Sequence, residues 1–166
     1  MISELMQAQY RGDDETVARL LREGHELNVW EAAAVGDTDW LADLLDEDAS
    51  LANAWSVDGA QPLHFAAFFG RVGAVKLLLE RGADVNSHAR GFNGVAPINS
   101  AAANDLKPNE TCTELVRLLF AGGADPHAAQ ASGATALDTA RFTQNEALIA
   151  LLEVTASRDE SRRQTT

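Results

Sequence analysis

Apolar positions along the chain recur as pairs of short helical faces separated by glycines, and the clearest pair lies between Asp58 and Asn86. Leu63, Ala66 and Ala67 give one short helix a small apolar face; Pro62 has the fixed φ that suits its first position, and Gly70 ends it. After a turn, Val72, Val75, Leu78 and Leu79 follow the three- and four-residue spacing of a second amphipathic helix, and Gly82 stands where a left-handed cap is needed. Two helices this short cannot bury their apolar faces alone, so the pattern requires stacked neighbours.

The neighbours are present. Gly12, Val17, Leu20, Leu21, Gly24 and Asn28 precede Gly70, Val75, Leu78, Leu79, Gly82 and Asn86 by a constant 58 positions. Trp30 to Gly36 has the first-helix pattern, with Trp30 in the place of His64, and Trp40, Leu41, Leu44 and Leu45 supply a second helix. This unit starts without a hairpin and ends in an acidic connection, Asp46 to Asn53. Asn93-Gly94 predicts a β-turn and Pro97 opens the next helix, 35 positions after Pro62. Leu118 to Phe120 then follow Leu77 to Leu79 by 41 positions, so six residues are inserted, around Asn104 to Thr111. In the last unit Thr135 is a predicted N-cap, Asp138 replaces the histidine and Gln144 the glycine.

Pro62-Leu63-His64, Ala66-Ala67, Gly70, Leu77-Leu78-Leu79 and Gly82-Ala83-Asp84-Val85-Asn86 together resemble an ankyrin repeat. The resemblance covers about residues 5 to 153 and implies an all-α solenoid of about five helix-turn-helix units with short hairpin-like loops. The units fall at about 4–27, 28–57, 58–92, 93–130 and 131–154, one repeat domain over 1–154, with a disordered tail at 155–166. Gln61 departs from the threonine usual in this family, a cap loss of about 1 kcal/mol. The family's histidine position implies a backbone-bonding, structural role for His64.

Composition narrows the function. The chain has 166 residues, is 46% apolar and carries a formal net charge of -12. Residues 13 to 48 hold twelve acidic side chains against Arg19 and Arg22, which argues against nucleic acid or an anionic membrane as partner. Cys112 is the only cysteine, so no internal disulfide and no cysteine-based metal site can form. His25, His88 and His127 fall in separate turns, no metal or other cofactor is expected, and no catalytic motif is found. Without a signal peptide pattern or an apolar span, a cytoplasmic monomer is the expectation.

By the resemblance, contacts come from hairpin tips and the exposed positions of each first helix, lining a concave groove that binds another protein. The partner-binding candidates so placed are Tyr10, Arg11, Val35, Phe68, Phe69, Asn104 and Phe142, extended by Trp55, Val57 and Phe92 on the hairpin side. Phe68-Phe69 is the centre, because repeat packing does not demand two large aromatics there. A rival reading places a small-molecule or enzymatic pocket around Trp30, Asp58, His64 and the inserted loop; a third has the acidic N-terminal units recognise a basic protein.

Overall fold

The computed structural model describes residues 2–103 and 108–163. Ten helices follow one another among these residues: α1 Glu4–Arg11, α2 Asp14–Arg22, α3 Val29–Val35, α4 Thr38–Glu47, α5 Pro62–Phe68, α6 Val72–Glu80, α7 Pro97–Ala102, α8 Asn109–Ala121, α9 Ala136–Phe142 and α10 Glu146–Arg163. Odd-numbered helices stack as an inner layer, each packed on the next, and α4, α6, α8 and α10 stack in order behind them. The helix-turn-helix solenoid expected from the sequence is what the chain forms. Its core is one continuous cluster running from Leu5 through Leu41, Leu63, Leu78, Ile98 and Leu119 to Leu152.

The caps explain why such short helices hold. Asp13 and Asp37 accept the Thr16 and Trp40 amides, both at 3.0 Å, starting α2 and α4. Inner helices use a second device, at the third helical residue. Glu31 Oε2 accepts the Asn28 amide at 3.1 Å, His64 Nδ1 that of Gln61 at 3.2 Å, Asn99 Oδ1 that of Ala96 at 2.9 Å, and Asp138 Oδ2 that of Thr135 at 2.8 Å. Four different side chains thus solve one problem, the orphan amide at a helix start.

This register corrects the assignment of Trp30. Glu31, not Trp30, is the counterpart of His64, and the Trp30 indole instead donates to the Ala54 carbonyl at 2.9 Å. Glu31 is buried and also accepts from Ser3 Oγ at 2.5 Å, tying the first unit to the second. With caps aligned, α3 passes from Val35 directly to Gly36, whereas α5 has Phe69 between Phe68 and Gly70. The second unit therefore lacks one residue, opposite Phe69.

Two further expectations give way. Of the expected tail at 155–166, residues 155–163 are helical, since α10 runs on to Arg163, with Asp159 Oδ2 coming 4.0 Å from His127 Nε2, and 164–166 lie outside the described residues. Of the inserted residues, Asn109 to Thr111 are the first turn of α8 rather than loop, and 104–107, including Asn104, lie outside the described residues. The hairpin side is stitched by asparagines. Asn53 donates to the Gly82 carbonyl and accepts from the Asp84 amide, and Asn86 repeats this with Gly123 and Asp125.

Candidate functional site

The missing residue in the second unit leaves a notch over α3, whose Ala32, Ala33 and Ala34 are fully buried. Units one and three meet across it. Tyr10 of α1 lies 5.3 Å from the ring of Phe69 and 6.1 Å from that of Phe68, and the two phenylalanines pack edge to face at 5.1 Å. Arg71 spans the same gap, donating through Nε to the Ala34 carbonyl at 2.8 Å and through its terminal nitrogen to Gln9 Oε1 at 3.2 Å. Gly36 lies beneath that side chain with φ 84°, and a Cβ there would meet Arg71 Cδ at 3.0 Å.

Phe69 is consequently a core residue, 5% exposed, which removes it from the predicted binding surface. Burial decides this: the ring fills the notch. Phe68, one residue earlier, is only partly buried and faces a cavity of about 340 Å³. The cavity is lined by Tyr10, Ala60, His64, Phe65 and Phe68, by Phe92 and Val95 of the next hairpin, and by Asn99, Ser100, Ala103, Gln130 and Thr139.

The titratable groups here are held uncharged. Burial pushes the Tyr10 hydroxyl up to about 12, and the nearby Asp58 carboxylate pushes it the same way. His64 is shifted down, first by burial, against the raising effect of its backbone bonds. Its Nε2 donates to the Ser87 and Val95 carbonyls at 3.0 and 3.2 Å while Nδ1 accepts from Gln61, so both ring nitrogens are committed to backbone. Asn99 makes the equivalent pair in the next unit, donating to the Ala128 carbonyl at 3.1 Å.

Residues 5–106 match the family model described as ankyrin repeats, three copies. The chain belongs to the ankyrin repeat family. It is 35% identical over 109 residues to BCL-6 corepressor-like protein 1 of Homo sapiens, covering 66% of this chain and 6% of that protein. It is 31% identical over 111 residues to ankyrin repeat and SAM domain-containing protein 6 of Rattus norvegicus, covering 67% and 12%. Over 71 residues it is 38% identical to ankyrin repeat-containing protein P1E11.10 of Schizosaccharomyces pombe, covering 43% and 33%. The chain thus spans a minor part of each of these relatives. Ankyrin repeats are generally protein–protein interaction modules, and members of the family are typically non-enzymatic adaptors.

Of the candidate binding residues, the ankyrin stack brings Tyr10, Phe68 and Phe92 to one cavity. Among the described residues, the other candidates do not line it. Arg11 is exposed and Val35 partly buried, Phe142 is 89% exposed and Val57 83% exposed, and Trp55 is partly covered by the Arg90 guanidinium, 4.1 Å from its ring centre. The small-molecule reading keeps His64 at the cavity but loses Trp30 and Asp58, neither of which lines it. Among the described residues no cluster of His, Cys, Asp and Glu could hold a metal, and no helix is long and apolar enough to cross a membrane. Sequence reasoning missed Val95, Ser100, Gln130 and Thr139 as lining residues. Their roles depend on how hairpins of successive repeats align, and no single-repeat pattern carries that information.

Proposed function

We propose that this chain is an interaction scaffold that binds a protein partner on the inner face of its repeats, with the cavity between Phe68 and Phe92 as the anchoring point. The observation that carries the reading is Phe68 itself. It is a large aromatic, partly exposed, on the wall of a mostly apolar cavity, at a helix position that stack packing does not require to be aromatic. Buried aromatic anchors near the centre of a contact surface supply most of the binding energy in such interfaces. Tyr10, kept neutral, adds a ring that carries a hydroxyl to the lining, a combination common at interfaces.

The test is affinity capture from native-host lysate with wild type and Phe68→Ala, followed by measurement of direct binding to whatever purified protein is captured. Phe68→Ala is expected to weaken that binding at least tenfold while the protein still unfolds cooperatively. Unchanged affinity would remove the cavity from the interface.

A further inference from the structure

We propose that the seam between α2 and α4, on the outer side of the stack, is a second contact surface, and that it takes a lysine- and arginine-rich segment of a partner protein that also carries apolar side chains. The seam shares no residue with the inner-face cavity, so this proposal and the inner-face reading stand or fall separately.

Register opens the seam. From α4 onward each outer helix packs on the next, whereas α2 packs on α1 and does not close on α4 in the same way. Leu79 of α6, 58 positions after Leu21, is partly buried, with its Cδ2 3.1 Å from where a Cβ on Gly122, the C-cap of α8, would stand. Leu21 has the same place on α2, but the C-cap of α4 is Asp48 with an extended backbone, and Leu21 stays 38% exposed. On α4, Leu41 and Leu45 enter the core, while Thr38 and Asp46 turn to α6, the first beside Gly73 and the second paired with Arg81. Helical spacing leaves Trp40 and Leu44 for the α2 side. Trp40 is 41% exposed and its indole donates to the Leu27 carbonyl, between α2 and α3, at 2.8 Å; Leu44 is partly buried.

Charge beside these side chains is of one sign. From Glu23 to Gly70 the chain has ten acidic residues and no lysine or arginine. Several have a task within the chain: Asp37 and Asp48 cap helix starts, Glu31 holds the Asn28 amide and Asp46 pairs with Arg81. Asp43 and Glu47 have none. Both are exposed, and neither makes a hydrogen bond or ion pair among the described residues. They lie three positions after Trp40 and Leu44, so on α4 each carboxylate neighbours one of the two apolar side chains. Their own helix gains nothing from them: like charges four apart repel, and Glu47 is an anion in a last turn that has no basic residue. The arginines of α2 are engaged, Arg19 by Glu4 and Glu23, and Arg22 by the Ala18 carbonyl.

Charge complementarity at the seam itself specifies the occupant. An apolar side chain covers Leu21, Trp40 and Leu44, and the lysines or arginines beside it meet Asp43 and Glu47. A segment rich in carboxylates, or a nucleic acid, is repelled by the same face.

The test uses the full chain, isotope-labelled, titrated at low salt with three synthetic peptides: acetyl-Lys-Leu-Lys-Lys-Leu-Lys-amide, acetyl-Lys-Ser-Lys-Lys-Ser-Lys-amide and acetyl-Glu-Leu-Glu-Glu-Leu-Glu-amide. The lysine-leucine peptide should give saturable shifts at the Leu21 and Leu44 amides and at the Trp40 indole N–H. The lysine-serine peptide should bind more weakly, and the glutamate peptide not at all. Two double variants, each removing two negative charges, carry the decision: Asp43→Asn with Glu47→Gln on α4, and Glu110→Gln with Glu114→Gln on α8. The α4 pair should weaken the lysine-leucine peptide about fivefold, with the difference closing at high salt, while the α8 pair leaves its affinity unchanged. The α4 pair should also raise the thermal midpoint, because it relieves repulsion within the helix. Equal weakening by both pairs, or equal binding of the lysine-serine peptide, would mean attraction to bulk charge and overturn the proposal. A lower midpoint for the α4 pair would make its carboxylates structural and overturn it as well, as would shifts confined to places other than the seam. Phe68→Ala, which tests the inner face, should leave the peptide shifts as they are; their loss would overturn the separateness of the two surfaces.

Discussion

Phe68 and Phe69 are adjacent and chemically identical, yet truncating them should have separable consequences. Phe69 is 5% exposed and fills the notch over α3, where its ring touches both Tyr10 and Phe68. Phe69→Ala therefore removes a fully buried ring and leaves a cavity, a change that costs about 3–5 kcal/mol. Part of that cost is the lost aromatic contacts, about 0.5–1.5 kcal/mol each. Phe68 is only partly buried, so Phe68→Ala should cost about 1–2 kcal/mol. For a chain of this size each kcal/mol moves the thermal midpoint by about 2–4 °C, which predicts a fall of about 6–20 °C for Phe69→Ala and about 2–8 °C for Phe68→Ala. Thermal melts followed by far-ultraviolet circular dichroism, backed by urea titration, measure both. Partner binding should show the opposite ranking, with Phe68→Ala the more damaging at a temperature where both variants are folded. A Phe69 variant as stable as the Phe68 variant would refute the notch-filling argument, and with it the reason for calling one residue core and the other surface.

Other substitutions test other joints of the stack. His64→Asn copies the bonding of Asn99 and should retain the fold. Because burial lowers the wild-type His64 pKa, its unfolded state binds the extra proton first, so wild type should lose stability as pH falls below about 6.5 while the asparagine variant loses less; urea midpoints at pH 7.5 and 5.5 decide this. Gln144 has φ 55° at the turn where the first three units place Gly12, Gly36 and Gly70, so Gln144→Gly should raise unfolding stability by about 1 kcal/mol. Arg71→Met keeps the aliphatic stem but removes the bonds to Ala34 and Gln9, and should cost about 1–3 kcal/mol, seen as a lower urea midpoint with earlier exchange of α1 amides.

The sequence made the stack legible because each unit repeats the same physical needs: an apolar face, a cap and a left-handed turn. Pro62, Leu63, Ala66, Ala67 and Gly70 could be read one at a time, and Leu119 is buried as its periodicity requires. Trp30 was misplaced because glycine spacing and cap spacing differ by one residue in the second unit, and only the Asn28–Glu31 bond shows which of the two governs. The tail misled for another reason. Residues 156–163 lack an apolar stripe, but α10 is already nucleated upstream on Leu148 and Leu152, and extending an existing helix costs far less than starting one.

The contact between Tyr10 and Phe69 follows from the same missing residue that spoiled the register. Were the second unit full length, a residue after Val35 would occupy the space over α3, and Tyr10 could not reach Phe69. The aromatic wall then depends on an absence in one repeat and a ring contributed by another, and the Phe92 side of the cavity depends on a hairpin held by the unit that follows it. None of these residues is required by the repeat in which it sits. That is why a unit-by-unit reading could find Phe68 as surplus to packing but could not distinguish it from Phe69. On the proposed inner-face reading, substitutions at Tyr10, Phe68 and Phe92 should change what that face accepts while the caps, leucines and asparagines that build the solenoid stay as they are.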